Sequence, residues 1–210
     1  MRRLFRLSVL AAAGLALAAC QQRVDNAVGS PTTYIDPATR GPVKGVGIES
    51  QDIIGMTDQM MRDMLAQPRL ASAAAAPNVI IDSEYFHNES SSRLNKNSIT
   101  DRLRVSLNRA AQGRMSFVGR NYADMVAKER ELKRQGVVDH ATQPGARAPK
   151  GGDYRLGGRI TSLDARDPKT GMAQRYNQII FEMVDLETSE IVWSGISEFA
   201  KAAQDDIIYR

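Results

Sequence analysis

Residues 153–199 read DYRLGGRITSLDARDPKTGMAQRYNQIIFEMVDLETSEIVWSGISEF, and this stretch decides the fold. Apolar and polar side chains alternate in its first part, which is typical of a β-strand with one buried face. The run 167–171, DPKTG, is rich in turn-forming residues and predicts a reversal of the chain. The predicted strands cover 154–161, 176–186 and 191–199. Consecutive strands joined by short turns predict an antiparallel meander.

Three amphipathic helices are predicted before the meander. The first begins with Ser50 as N-cap and ends near Gln67 and Pro68, and its methionines at three- and four-residue spacing indicate core packing rather than a soft-metal groove. The second opens with a capping box formed by Ser98 and Asp101. The third runs from Asn121 and Asp124 to about Gln135. The expected buried side chains are Ile53, Met56, Met60, Met64, Ile99, Leu103, Leu107, Ala110, Met125, Val126 and Leu132.

Two short β-type runs, 78–86 and 115–118, lie between these helices, and a loop rich in Gly, Pro and Ala occupies 136–152. Helices that bury one stripe need a sheet face to cover. We therefore expect an α+β (mixed α/β) fold in one globular domain over 46–210, with the helices packed on a small sheet.

The first 19 residues resemble a secretory signal. They contain Arg2, Arg3 and Arg6, followed by about 13 apolar residues, which is too short to span a bilayer. The run Leu17-Ala18-Ala19-Cys20 resembles the lipobox of bacterial lipoproteins, in which the cysteine thiol receives a diacylglyceryl group. We therefore predict cleavage after residue 19 and lipidation of Cys20. A free thiol in an ordinary signal sequence is the alternative.

Residues 20–45 are predicted to form a lipidated tether, because their composition is too polar to form a core. Stretched, this segment reaches roughly 80 Å, and a relaxed flexible chain averages about 25 to 30 Å. Gln21 stands where lipoproteins retained in the inner membrane carry Asp. The expected location is therefore the outer membrane, with the domain facing the periplasm.

Charge and residue types argue against several function classes. Without the three arginines of the signal, the remaining chain has 25 basic and 24 acidic residues, so a concentrated basic surface for nucleic acid is not expected. Cys20 is the single cysteine, and His87 and His140 stand alone in loop-like sequence. We find no pattern typical of a catalytic site, a metal site or a cofactor site.

Four stretches together resemble the LpoB family of outer-membrane lipoproteins that activate penicillin-binding proteins. They are 47–52 (GIESQD), 81–83 (IDS), the Leu103-Arg104-x-x-Leu107 helix with Phe117-Val118, and Asp153-Tyr154-x-Leu156-x-Gly158-x-Ile160 with 188–195 (TSEIVWSG). The resemblance implies a fold similar to the N-terminal domain of TolB and no catalytic activity. It also implies docking on the periplasmic regulatory region of a bifunctional class A penicillin-binding protein, which favours the active state of that synthase.

The sequence also suggests where a partner docks. Period two places Arg155, Gly157 and Arg159 on the strand face opposite the core, where the glycine leaves room for a partner's backbone. Arg104 lies off the apolar stripe of its helix and matches the family's Leu-Arg pair. These four residues form the predicted docking patch. The alternative is that the arginines only solvate the sheet face or lie beneath a helix.

Two other functions fit the sequence less well. A CsgG-like structural or secretion role needs additional membrane-spanning strands, and no predicted strand shows the required lipid-facing alternation of about ten residues. An envelope hydrolase needs a catalytic site, and the sequence offers no candidate for one.

Overall fold

A computed structural model describes residues 28–29, 32–39, 45–71, 75–139 and 148–204. Cys20, His140 and the predicted signal lie outside these residues, as does most of the predicted tether. Within the described ranges, no helix is long and apolar enough to cross a bilayer.

The described chain is a mixed α+β domain, as predicted. Its helices are α1 (Ser50–Ala66), α2 (Pro68–Ala71), α3 (Lys96–Ala110) and α4 (Ala123–Arg134), with a 3-10 turn at Arg120–Tyr122. Its strands are β1 (Asn78–Ile80), β2 (Phe86–Asn88), β3 (Ser116–Phe117), β4 (Tyr154–Arg166), β5 (Ala173–Asp185) and β6 (Ile191–Ala203).

One sheet contains all of these strands, in the order β3-β1-β4-β5-β6, with β2 also paired to β4. Strands β4, β5 and β6 form the predicted antiparallel meander, and each has 13 residues, which is longer than the sequence pattern indicated. Strands β1 and β2 both run parallel to β4. The three long strands therefore form the scaffold, and the short strands occupy one edge of it.

Helices α1 and α3 supply apolar stripes to one continuous core. Met56, Met60 and Met64 of α1 are buried there and Met61 packs against them partly buried, so the prediction that these methionines serve packing is confirmed. Strand parity is confirmed as well, because Leu156 and Ile160 are buried and Arg159 is exposed. The core also contains Ile99, Leu103, Leu107, Phe86, Ile179, Phe181 and Met183.

Two phenylalanines stack at the centre of this core. The rings of Phe86 and Phe181 lie 4.5 Å apart at an interplanar angle of 16°. Gly158 permits this approach, since a Cβ built there would lie 2.2 Å from the Ile180 carbonyl oxygen and 3.1 Å from the Phe181 ring. At the adjacent Gly157, the nearest atom to such a Cβ is the Tyr85 carbonyl oxygen at 3.5 Å, an ordinary contact.

The amino-terminal end of the domain is fixed to the end of β6. Val46 is buried. The Lys201 ammonium donates to the Gly47 carbonyl at 3.0 Å and to the Asp52 carboxylate at 2.6 Å, and it lies 3.7 Å from a Glu49 carboxylate oxygen. Lys201 is in register with Arg175 of β5, and Arg175 with Asp164 of β4, so all three lie near the turn that joins β4 to β5. The chain that precedes α1 is thus attached to this end of the meander.

The structure corrects the predicted strand 78–86. It is divided into β1 and β2, because residues 81–85 leave the ladder. The Asp82 carboxylate accepts a hydrogen bond from the Glu84 amide at 3.1 Å, a local turn that competes with strand pairing.

Three details of the predicted helices are also wrong. Helix α1 is capped by Glu49 and not by Ser50, which is its first residue. Helix α3 is capped by Asn95, whose side chain accepts from the Asn97 amide, and the Ser98 hydroxyl donates to the Asn95 carbonyl instead of forming a capping box. None of the twelve described residues of α4 is buried, and Met125, expected inside, is 63% exposed. Val126 is exposed too, because α4 packs mainly against the 3-10 turn before it and not on the core.

The two adjacent glycines of β4 give a matched test of the packing. We expect Gly158→Ala to lower the free energy of unfolding by about 1–3 kcal/mol, because its methyl group overlaps the Ile180 backbone. Gly157→Ala is expected to cost less than about 1 kcal/mol, since its methyl group makes only an ordinary contact. Urea denaturation of both variants measures the difference. Equal stability of the two would contradict the close approach at Gly158.

Candidate functional site

The predicted docking patch lies next to the break between β1 and β2. Both strands pair with β4, with Ile80 in register with Arg155 and Phe86 with Gly158. The segment 81–85 bridges this interval with a single backbone hydrogen bond to β4, from the Gly158 amide to the Tyr85 carbonyl. Its first and last residues, Ile81 and Tyr85, differ in environment, since Ile81 is buried in the core and Tyr85 is exposed. The segment therefore links the core to the surface.

Arg155 holds this segment against β4. One guanidinium nitrogen, Nη2, donates to both carboxylate oxygens of Asp82, at 2.9 and 3.1 Å, and to the Glu84 carboxylate. The Arg155 side chain is only 17% exposed, whereas that of Glu84 is 61% exposed. Arg155 is therefore the internal partner of these ion pairs, and Glu84 is the member that faces solvent.

Partial burial and ion pairing act in opposite directions on Arg155. Desolvation alone lowers the pKa of its guanidinium, but the hydrogen bonds to Asp82 and Glu84 raise the pKa above its ordinary value. The guanidinium is therefore a fixed positive charge. Its Nε has no acceptor among the described residues, so the charge is satisfied through Nη2 alone.

Tyr85 covers the face of this guanidinium. The Arg155 Cζ lies 4.5 Å from the centre of the Tyr85 ring, a cation–π geometry. The Tyr85 carbonyl accepts a hydrogen bond from the Gly158 amide at 2.9 Å, which fixes its backbone to β4. The side chain of Tyr85 nevertheless remains 52% exposed. Gly157 lies beside this residue, so the space above that glycine is bounded by Tyr85.

Arg159 differs from Arg155, because its side chain is exposed and makes no ion pair with another described residue. On the sheet it is in register with His87 of β2 and with Ile180 of β5. Ile180 is in turn in register with Ile196, which is half exposed on β6. This row places a cation beside apolar side chains on the outer sheet face.

Arg104 lies on a different element from the other patch residues, and it pairs with Asp101 one helical turn away at 2.7 Å. Asp101 borders an open cleft with a volume of about 320 Å³ that Asp82 and Glu84 also border. Arg104 and Arg155 thus each hold carboxylates of the same cleft. The full lining is Ile81, Asp82, Ser83, Glu84, Asn97, Thr100, Asp101, Arg120 and Asn121.

Sequence reasoning located the arginines of this region but missed their partners. Asp82, Glu84 and Tyr85 lie in the run expected to be one continuous strand, so their side chains were expected to alternate across a sheet. The run 82–85, DSEY, places two carboxylates and an aromatic residue within four positions. This run is the sequence signal that could have indicated a break in the strand.

In the described part of the chain, no group of three or more His, Cys, Asp and Glu side chains has an arrangement that would hold a metal ion. His87 lies on β2 with its side chain exposed.

The sequence profile of the family described as peptidoglycan-synthase activator LpoB matches residues 52–199. Similar solved structures include the LpoB C-terminal domains from Salmonella enterica (20% identity, TM-score 0.42) and Escherichia coli (19%, 0.41), and each alignment covers 70% of this chain and 98% of that domain. Lipoprotein GNA1162 from Neisseria meningitidis is 16% identical, with a TM-score of 0.30 over 62% of this chain and 86% of that one. No curated protein matches the sequence.

The role of Arg155 in fixing segment 81–85 is open to test. In Arg155→Met, Asp82 loses its cation and Tyr85 loses the group beneath its ring, so we expect faster amide hydrogen exchange over 82–85. The free energy of unfolding is expected to fall by about 1.5–3 kcal/mol, the range for hydrogen bonds to charged groups. Arg159→Met, an exposed arginine on the same face, is the control. Unchanged exchange in 82–85 would show that Arg155 does not hold the segment.

Proposed function

This chain belongs to the LpoB family, whose profile spans it from the first turn of α1 into β6, and from that membership we propose that it binds and activates a bifunctional class A penicillin-binding protein. The profile match carries this proposal. In the family, members act as activators of peptidoglycan synthesis and not as enzymes. The proposed consequence is regulation of peptidoglycan synthesis through contact with the synthase.

Activation of this kind requires a difference in affinity. A bound protein shifts its partner toward the active state only if it binds that state more tightly than the inactive one. A rigid surface suits this task, because a surface that deforms equally well to both states discriminates poorly between them. The outer face of the β4–β6 meander is such a surface, since its backbone is fixed by two long antiparallel ladders.

The predicted docking patch remains part of the proposal, with different tasks for its members. Arg159 is the cation available to a partner, because it is exposed and makes no described ion pair, and Ile196 adds exposed apolar area on the same face. Arginine beside apolar side chains is a common composition of interface centres. Arg155 and Arg104 are mostly enclosed by their carboxylate partners, and Gly157 is bordered by Tyr85.

We also propose the domain organisation that the sequence predicts. Residues 1–19 form the lipoprotein signal, Cys20 carries the lipid, 20–45 form the tether, and 46–210 form the periplasmic domain. The support is the lipobox-like run before Cys20, the polar composition of the tether and Gln21. The protein would then be anchored in the outer membrane and reach a synthase through the peptidoglycan.

A binding and activity measurement tests the proposed function. We expect detergent-solubilised full-length protein to retain a class A penicillin-binding protein from solubilised envelopes and to increase the rate of peptidoglycan synthesis by the purified synthase. Arg159→Glu reverses the available charge and is expected to weaken this binding roughly tenfold or more without changing the thermal unfolding midpoint. Lys169→Glu, in the exposed β4–β5 turn, is the control. Failure to retain any class A synthase would contradict the proposal.

The proposed anchor predicts the behaviour of a single substitution. Cys20→Ser removes the thiol that would receive the lipid, so we expect the protein to leave the outer-membrane fraction and to lose fatty-acid labelling. Fractionation of cells grown with labelled palmitate measures both. A Gln21→Ser variant, which keeps the thiol, should still be labelled. Continued membrane attachment of Cys20→Ser would exclude lipidation as the anchor.

A further inference from the structure

We propose that Tyr85 is the aromatic anchor of the docking surface, and that Arg155, with Asp82 and Glu84, acts as a positioning group that holds the Tyr85 ring for the partner. This inference rests on the proposed function, because the occupant it names is the docking region of a peptidoglycan synthase. The observation that carries it is the contrast between a half-exposed ring and the enclosed guanidinium beneath it.

The Tyr85 ring is held although half of it faces solvent. Its backbone carbonyl is bonded to Gly158 of the central strand β4, and one ring face lies on the Arg155 guanidinium. A side chain that is already restrained loses little conformational freedom when a partner covers it. Rigid tyrosines with one free face are accordingly common at the centres of interfaces.

Arg155 is not itself the contact. Its side chain is 17% exposed, its Nη2 is engaged by two carboxylates, and one face of its guanidinium is covered by the ring. A partner that approaches this surface therefore contacts Tyr85 and Glu84, and the Arg155 guanidinium stays beneath them. The ion pairs orient the guanidinium, and the guanidinium supports the ring.

The groups around Tyr85 specify the chemistry of the partner surface. The free ring face needs an apolar slot, and the phenol hydroxyl needs a hydrogen-bonding group at its rim. Glu84, exposed beside the ring, favours a basic side chain on the synthase. Arg159, exposed on β4, favours an acidic one. The inferred partner surface is thus an apolar slot flanked by charges of both signs.

Tyr122 provides a matched control within the same chain. Its exposure is 47%, close to that of Tyr85, but it ends the 3-10 turn before α4, a helix with no buried residue in its described length. No cation lies over its ring among the described residues. It therefore offers the same residue type without the cation beneath its ring.

The experiment measures the affinity of full-length variants for the purified class A synthase. We expect Tyr85→Ala to raise the dissociation constant roughly tenfold or more, Tyr85→Phe to retain most of the affinity, and Tyr122→Ala to change it less than about threefold. Thermal unfolding of each variant checks that the fold is intact. If the wild-type protein binds and Tyr85→Ala binds equally well, this inference is overturned while the proposed function stands. If the wild-type protein binds no class A synthase, the proposed function itself fails.

A double-mutant cycle tests the positioning role of Arg155. Arg155→Lys keeps the charge but loses the planar guanidinium beneath the ring. We expect it to weaken binding in the wild-type background and to have little further effect in Tyr85→Ala, because the group it supports is then absent. An equal loss in both backgrounds would mean that Arg155 acts independently of Tyr85 and would overturn the assigned role.

Discussion

Burial of one face of the β4–β6 meander under α1 and α3 fixes the direction of each side chain on these strands. Along β4, residues that point inward fill the core, as Leu156 and Ile160 do, and those that point outward form the surface. A shift of register by one residue would place Arg155 and Arg159 in the apolar core, which carries a large desolvation penalty. The same constraint that stabilises the fold therefore determines which side chains face outward on the proposed docking surface.

The break between β1 and β2 gives this surface its specific chemistry. A continuous strand there would present alternating side chains and a regular ladder, as β5 does. Segment 81–85 instead turns Asp82 and Glu84 toward Arg155 and leaves Tyr85 above it. Long antiparallel strands supply the rigidity, and a short irregular segment supplies the proposed recognition groups, a division common to many binding proteins.

Features with a local sequence signal were predictable, and those set by distant contacts were not. The methionine stripe of α1 and the alternation in β4 are each contained in one segment, so their periodicity was sufficient. The interruption of the predicted strand 78–86 combines a local turn at Asp82 with ion pairs to Arg155, which is 73 residues from Asp82 in sequence, and only the turn has a local signal. The predicted inner face of α4 had the correct spacing, but spacing does not show whether a core surface is available to cover it. Parity was sufficient to place Arg155 and Arg159 on the outer face of β4, but nothing local indicated that carboxylates enclose Arg155 and Arg104.

Lys201 joins the incoming chain to the end of β6, and this has a mechanical consequence. The row of Asp164, Arg175 and Lys201 lies nine residues along β4 from Arg155, a span of about 30 Å. Tension transmitted from an upstream attachment would thus enter the domain at one pole, while Tyr85 occupies the other. Buried Val46, the hydrogen bond from the Ser50 hydroxyl to the Pro37 carbonyl and the Lys201 contacts would together resist that load before it reached the strands.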